Sequence, residues 1–168
     1  MDNYKEKIAA WLIDEDLEVR SEPIPAGAPI EWALRVSVKA PIRVSLVLQQ
    51  PSSKRDRIVA TMGATLSDVH RRELLALPEY RRVEIVSEIF NTLISMCPDC
   101  LVFVQPSFSN PTAIAITKII YHENLSRDSI ASTVRVLANA FAVIVSLLNA
   151  RLKTGTRPSK GVAEEGFM

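Results

Sequence analysis

Residues 32–50 read WALRVSVKAPIRVSLVLQQ and contain two runs in which apolar side chains recur at every second position. The apolar series are Trp32, Leu34, Val36, Val38 and then Ile42, Val44, Leu46, Leu48. This period of two is the pattern of β-strands with one covered face and one wetter face. Because the short Ala40-Pro41 turn separates the runs, we expect the two strands to pair antiparallel.

Three further strands and several helices are expected around this hairpin. A third strand is predicted at 57–65, and the continuous apolar run 101–105 (LVFVQ) favours a central strand buried on both faces. Residues 113–121 form a fifth predicted strand after a turn rich in Ser, Asn and Pro. Capping residues and apolar periodicity predict helices at about 3–14, 68–77, 78–97 and 126–152.

The predicted order is α-β-β-β-α-β-β-α, an α+β fold with a twisted, mostly antiparallel five-stranded sheet packed by three main helices. At 168 residues, the chain is expected to form a single domain over 1–152. Residues 153–168 (KTGTRPSKGVAEEGFM) are expected to be a flexible tail, because they contain glycine, proline and few apolar residues.

Composition and charge exclude few partners but favour a cytoplasmic, soluble protein. The 20 Lys and Arg nearly balance the 19 Asp and Glu, so no global field selects nucleic acid or an anionic membrane. The charged N-terminal stretch is unlike a secretory signal. The apolar run 136–150 falls short of the ~20 residues that span a bilayer. It is expected to form a buried core helix or, alternatively, a partner or self-association surface at Leu137, Phe141, Ile144 and Leu148.

No motif in the sequence indicates catalysis or a cofactor. Glycine-rich nucleotide-binding loops and the G-x-S-x-G elbow of serine hydrolases are absent from the sequence. His70 and His122 are the two histidines, and each is expected to be a surface or structural residue. We therefore predict no catalytic residue, no metal ligand and no cofactor.

Cys97 and Cys100, in MCPDC at 96–100, leave three interpretations open. A reactive thiol of the thioredoxin type needs its first cysteine at the start of a helix, whereas this pair follows one. A zinc site would need further ligands at suitable spacing. We expect a helix-to-strand corner with Cys97 in the core, and a structural disulfide if the two Cα atoms lie within ~7 Å.

A basic cluster lies in 54–82 and is the basis of an alternative, nucleic-acid-associated function. Its members are Lys54, Arg55, Arg57, Arg71, Arg72, Arg81 and Arg82. Nucleic-acid sites usually add exposed aromatic side chains, and Tyr80 is the one aromatic residue in this window. The cluster is therefore interpreted mainly as a solvated hairpin and helix edge.

The element order resembles that of bacterial type III secretion chaperones. The stretches IPAGAPIEWALRVSV (24–38), the 86–97 helix and NPTAIAITKIIYHENL (110–125) are also similar to an uncharacterised archaeal family of the same architecture. The resemblance implies a non-enzymatic, protein-binding module that holds another protein or a second copy of itself as a homodimer, at an open sheet edge or helix groove. The secretion chaperones are typically acidic, and this chain, with net charge +1, departs from them in this respect.

Overall fold

The computed structural model describes residues 3–152, and the expected tail at 153–168 lies outside the described residues. Within that range, four α-helices, six strands and one 3-10 turn (His122–Asn124) are formed. The helices are α1 (Tyr4–Asp14), α2 (Asp68–Leu75), α3 (Glu79–Met96) and α4 (Arg127–Arg151). The strands are β1 (Glu18–Ser21), β2 (Ile30–Val38), β3 (Val44–Pro51), β4 (Arg57–Thr65), β5 (Cys100–Pro106) and β6 (Pro111–Tyr121).

The α+β class and the mostly antiparallel sheet are confirmed, but two details of the predicted fold are wrong. The sheet has six strands rather than five, in the order β1-β2-β3-β4-β6-β5. The element order also differs from the expected one, because a strand follows α1 directly and because the helices predicted at 68–77 and 78–97, which that order counts as one, are two separate helices. Ser67 caps α2 by accepting a hydrogen bond from the His70 amide, and α3 begins after Pro78.

The hairpin of β2 and β3 forms as its alternating sequence predicts. The strands are antiparallel, with Val36 opposite Leu46 and Leu34 opposite Leu48. All four side chains are buried, and β4 adds a further antiparallel pairing to β3. A period of two therefore places the apolar residues of this segment on one covered face.

Strand β1 is the element that the sequence patterns did not predict. Its four residues, EVRS, contain one apolar side chain and continue an acidic stretch after α1. Asp16 adopts a left-handed conformation (φ 59°) that reverses the chain at the end of α1. The strand is then defined by pairing with β2, with Val19 opposite Val36. Tertiary pairing rather than local propensity makes this strand.

Strand β5 is not the central, doubly buried strand that its apolar run predicts. It is the last strand in the sheet order and therefore an edge. Leu101 is 51% exposed and Phe103 is 46% exposed, whereas Cys100 is buried. An apolar run is the same in a strand buried on both faces and in an edge strand with an uncovered apolar face, which explains the error.

Helix α4 provides core packing rather than an accessible apolar surface. The predicted surface residues Leu137, Phe141, Ile144 and Leu148 are all buried within the chain. In the described residues, α4 is the one helix long and apolar enough to cross a membrane, but 56% of its most apolar window is buried inside the protein. A helix of this kind is typical of the core of a soluble protein.

The described residues divide into two compact units. One contains residues 3–62 and 117–139, and the other contains 63–116 and 140–152. The first unit includes α1 and strands β1 to β3; the second includes α2, α3 and β5. The expectation of a single domain over 1–152 stays a prediction.

Candidate functional site

The candidate site is the outer edge of β5, which has a strand neighbour on one side in the described sheet. Side chains alternate along the strand, so Leu101 and Phe103 lie on the same face, and both are exposed. No residue of β5 (CLVFVQP) carries a charge. An edge strand presents a row of backbone N–H and C=O groups that another strand can pair with.

The other edge of the sheet, β1, has the features by which proteins protect an edge strand. It is four residues long and carries Glu18 and Arg20, which form an ion pair with each other. Short length and charge both disfavour pairing with a foreign strand. Since β5 has seven residues and lacks these protections, the two edges differ in their capacity to accept another strand.

The start of β5 is fixed to the end of α3. Cys97 is the C-terminal cap residue of α3, Cys100 is the first residue of β5, and a disulfide joins them with the Cα atoms 5.2 Å apart. The Cys100 amide also donates to the Cys97 carbonyl at 3.0 Å. The Cα separation lies within the range of a disulfide.

The turn after β5 is also fixed by α3. Arg82 donates through Nε to the carbonyl of Ser109 at 2.7 Å and through Nη1 to the carbonyl of Leu77 at 2.7 Å. Phe90 packs edge-to-face on Phe108, with ring centroids 5.3 Å apart. Because α3 holds both ends of β5, the strand is preorganised and loses little conformational freedom when a partner binds.

The cysteine corner is also the place where the described residues gather donors suited to a metal ion. One donor atom from each of Cys97, Asp99 and Cys100 lies within 4.8 Å of the others. A disulfide uses both sulfur atoms, and thiolates are the species that bind zinc. These three residues could therefore hold a soft metal only after reduction, and three ligands from one turn leave a tetrahedral site incomplete.

The two histidines have different surroundings. His70 is buried, and its Nε2–H donates to Asn149 Oδ1 at 3.0 Å, which gives it a structural role. The His122 ring packs against that of Tyr4 at a tilt of 31°, with ring centroids 4.1 Å apart. Its Nε2 is buried and has no hydrogen-bond partner among the described residues.

The basic cluster of 54–82 is divided between the two compact units, and its first three members, Lys54, Arg55 and Arg57, belong to one of them. Arg55 pairs with Glu31 at 3.5 Å. Arg57 donates to Asp56 at 2.8 and 2.9 Å and lies over the ring of Tyr121. The hydrogen bonds from Arg57 hold the pKa of Asp56 below its ordinary value. Acidic neighbours thus compensate both of these arginines.

The other four members, Arg71, Arg72, Arg81 and Arg82, belong to the second unit. Arg81 pairs with Glu84, and Arg82 is occupied by the two backbone carbonyls at 77 and 109. Arg71 Nε is buried without a hydrogen-bond partner among the described residues. Arg81 and Arg82 thus already have partners within the protein, which weakens the case for a phosphate-binding patch.

Comparison with known proteins places this α+β domain in a family. The family described as "Uncharacterized conserved protein (DUF2299)" matches residues 4–148, and the chain belongs to it. The chain is similar to an uncharacterized protein from Methanothermobacter thermautotrophicus, with TM-score 0.77 and 20% identity over 88% of this chain and 98% of the other. It is less similar to YbjN, a proposed transcription regulator from E. coli, with TM-score 0.50 and 13% identity over 88% and 92%. No curated protein matches the chain.

These likenesses concern the fold, because both identities are below the range in which function transfers. The expected likeness to an uncharacterised family is confirmed. The likeness to type III secretion chaperones stays a prediction. Leu101 and Phe103 were not predicted as functional residues, although one signal for them was present: the strand contains no charge to protect an edge.

Proposed function

We propose that this protein is a non-enzymatic protein-binding module that receives an extended segment of a partner protein along the outer edge of β5. The observation that carries the proposal is the exposure of Leu101 and Phe103 on an uncharged edge strand. In this mode of recognition, main-chain hydrogen bonds give affinity, and side chains at alternate positions give specificity.

The chemistry of the edge defines the partner segment. Leu101 and Phe103 are two residues apart on one face, so a bound strand would place apolar side chains against them at alternate positions. A partner protein exposes such an apolar segment before it folds or assembles. Binding the segment at that stage would give this module a chaperone-like role. We further propose that it acts in the cytoplasm.

Selection from a library of displayed extended peptides tests the proposal. We expect selected peptides to carry apolar residues at alternate positions and to bind the wild type, whereas Phe103→Asp should weaken binding by about tenfold or more through loss of apolar contact and introduction of a charge. Tyr80→Asp is the matched control, because Tyr80 is 70% exposed on α3 and lies outside β5.

Two outcomes would contradict the proposal: failure to select any peptide, or equal losses in the two variants. Light scattering on the same proteins separates self-pairing from partner binding. A dimer that Phe103→Asp dissociates would identify the preferred occupant of the edge as a second copy of this chain.

The nucleic-acid alternative is less well supported by the contacts of its residues. Arg55, Arg57 and Arg81 have acidic partners, and Arg82 is bonded to backbone carbonyls. Phosphate binding depends on cations that can exchange their counterions. We therefore favour the protein-binding function.

A further inference from the structure

A cavity of about 420 Å³ lies in the unit formed by residues 3–62 and 117–139, where the start of α1 faces β2 and β3. Its walls come from Tyr4, Trp32 and His122, and its polar groups from Glu31, Gln50 and Arg55, with Asn3 at the N-terminus of α1. The volume is near the lower end of the range for small-molecule sites, roughly 300–1,000 Å³, so the ligand that fits is small.

The floor of the cavity is a fixed chain of hydrogen bonds. Gln50 is 6% exposed and accepts from Trp32 Nε1–H at 3.2 Å. Its Nε2 donates to Glu31 Oε2 at 3.0 Å. Because both ends of the buried amide are engaged, Gln50 holds the indole and the Glu31 carboxylate in defined positions.

The cavity carries one acidic and one basic side chain close together. Arg55 Nε lies 3.5 Å from Glu31 Oε2, and both side chains are partly exposed. An exposed ion pair contributes little stability, so a ligand can open it at small cost. A ligand with one charge would pair with one of the two groups, whereas a zwitterion would pair with both.

One further group favours the same ligand. Asn3 caps α1 through the Glu6 amide, and the positive end of the helix dipole favours a carboxylate near this point. The packed rings of Tyr4 and His122 line the cavity and offer a wall to the side chain of a ligand.

From these contacts we infer that the cavity binds a small zwitterion of the α-amino-acid class, with its ammonium group on Glu31 and its carboxylate on Arg55. None of the residues involved belongs to β5. The inference is therefore independent of the proposed protein-binding function.

Titration of the labelled protein with each of the common free amino acids, followed by the indole N–H signals in NMR, tests the inference. The chain has two tryptophans, and Trp11 does not line the cavity, so its signal is an internal control. We expect at least one amino acid to shift the Trp32 signal saturably at concentrations below about 10 mM while Trp11 stays unchanged.

Matched ligands and variants then test the roles of the two charges. The N-acetyl and methyl ester derivatives of the same amino acid each lack one charge, and both should bind about tenfold more weakly. Glu31→Gln should reduce affinity for the free amino acid by a similar factor, and an unchanged Trp11 signal would show that the variant is folded. The inference would be overturned if no amino acid shifts Trp32, or if both derivatives bind as tightly as the free form.

Discussion

His70 Nε2 lies 3.0 Å from Asn149 Oδ1, so a buried histidine of α2 is bonded to the last turns of α4. From the sequence, His70 was expected to be a surface or structural residue. The amide oxygen of Asn149 can only accept a hydrogen bond, so the ring nitrogen of His70 is the donor. This bond positions α2 against α4, and the nitrogen is not left free to contact a substrate.

Replacement of Asn149 tests this bond. Asn149→Leu should lower the free energy of unfolding by about 1–3 kcal/mol, because it leaves a buried N–H without an acceptor. Urea denaturation measures the change. Asn91→Leu, on the exposed side of α3, is the matched control and should change stability by less than about 0.5 kcal/mol. Equal effects would show that the bond contributes nothing specific.

Neighbouring arginines of α3 provide a second comparison. Arg82→Ala removes the donors of two hydrogen bonds to backbone carbonyls. It should lower the free energy of unfolding by about 1–3 kcal/mol and loosen the turn after β5. Arg81→Ala breaks a surface pair with Glu84 and should cost less than about 1 kcal/mol. If Arg81 proved the more important residue, Arg82 could not be the anchor of that turn.

The ion pair of Glu88 and Arg151 predicts a dependence of stability on pH. Hydrogen bonds from Arg151 lower the pKa of Glu88 below its ordinary value, so the pair stabilises the fold above the ordinary pKa of a glutamate and its contribution is lost as the pH falls through the lowered pKa. Glu88→Gln should therefore be slightly less stable than the wild type at pH 7 and equally stable in strong acid. High salt should shrink the difference at pH 7; a difference that persists in acid would argue against this pair as the cause.

The buried face of α4 predicts large losses on truncation. Leu137→Ala and Ile144→Ala should each cost about 2–5 kcal/mol, because both side chains are buried and the core cannot fully close. Ser146→Ala, exposed on the same helix, is the control. If α4 were instead an association surface, the truncations would change the mass measured by light scattering and leave monomer stability nearly intact.

We predict that the disulfide at the start of β5 stabilises the corner between α3 and β5 and takes no part in redox chemistry. Thiol counting on protein purified without reductant should find no free thiol, and Cys97→Ser with Cys100→Ser should lower stability by about 2 kcal/mol for so short a loop. In a cytoplasm that keeps thiols reduced, the same corner would carry two free thiols. Two free thiols after rapid alkylation of cells would show that the corner is open there.

The sequence was sufficient for the parts of the fold that local patterns define. Alternation at 32–50 predicted β2 and β3, and capping residues with apolar periodicity predicted a helix at about 3–14, where α1 lies. Strand β1 could not be predicted, because one valine among charged residues has no strand signal until β2 lies beside it. Strand identity is here a property of the pairing rather than of the segment.

The candidate site was harder to predict than the fold. The run LVFVQ was recognised as a strand, but its neighbours are unknown until the sheet order is known. The sequence around Phe103 would be the same whether its side chain were exposed or buried, so the sequence does not reveal its exposure. The cavity was missed for a similar reason, because Glu31, Arg55 and His122 are far apart in the chain and no short motif connects them.

The discontinuous make-up of the two compact units has a consequence for synthesis on the ribosome. Residues 63–116 are translated between the two segments of the first unit, and 140–152 follow both of them. Neither unit can close when its first half emerges, although chains usually fold from the N-terminus as they are made. Nascent α1 and strands β1 to β3 are therefore made well before residues 117–139, which complete their unit.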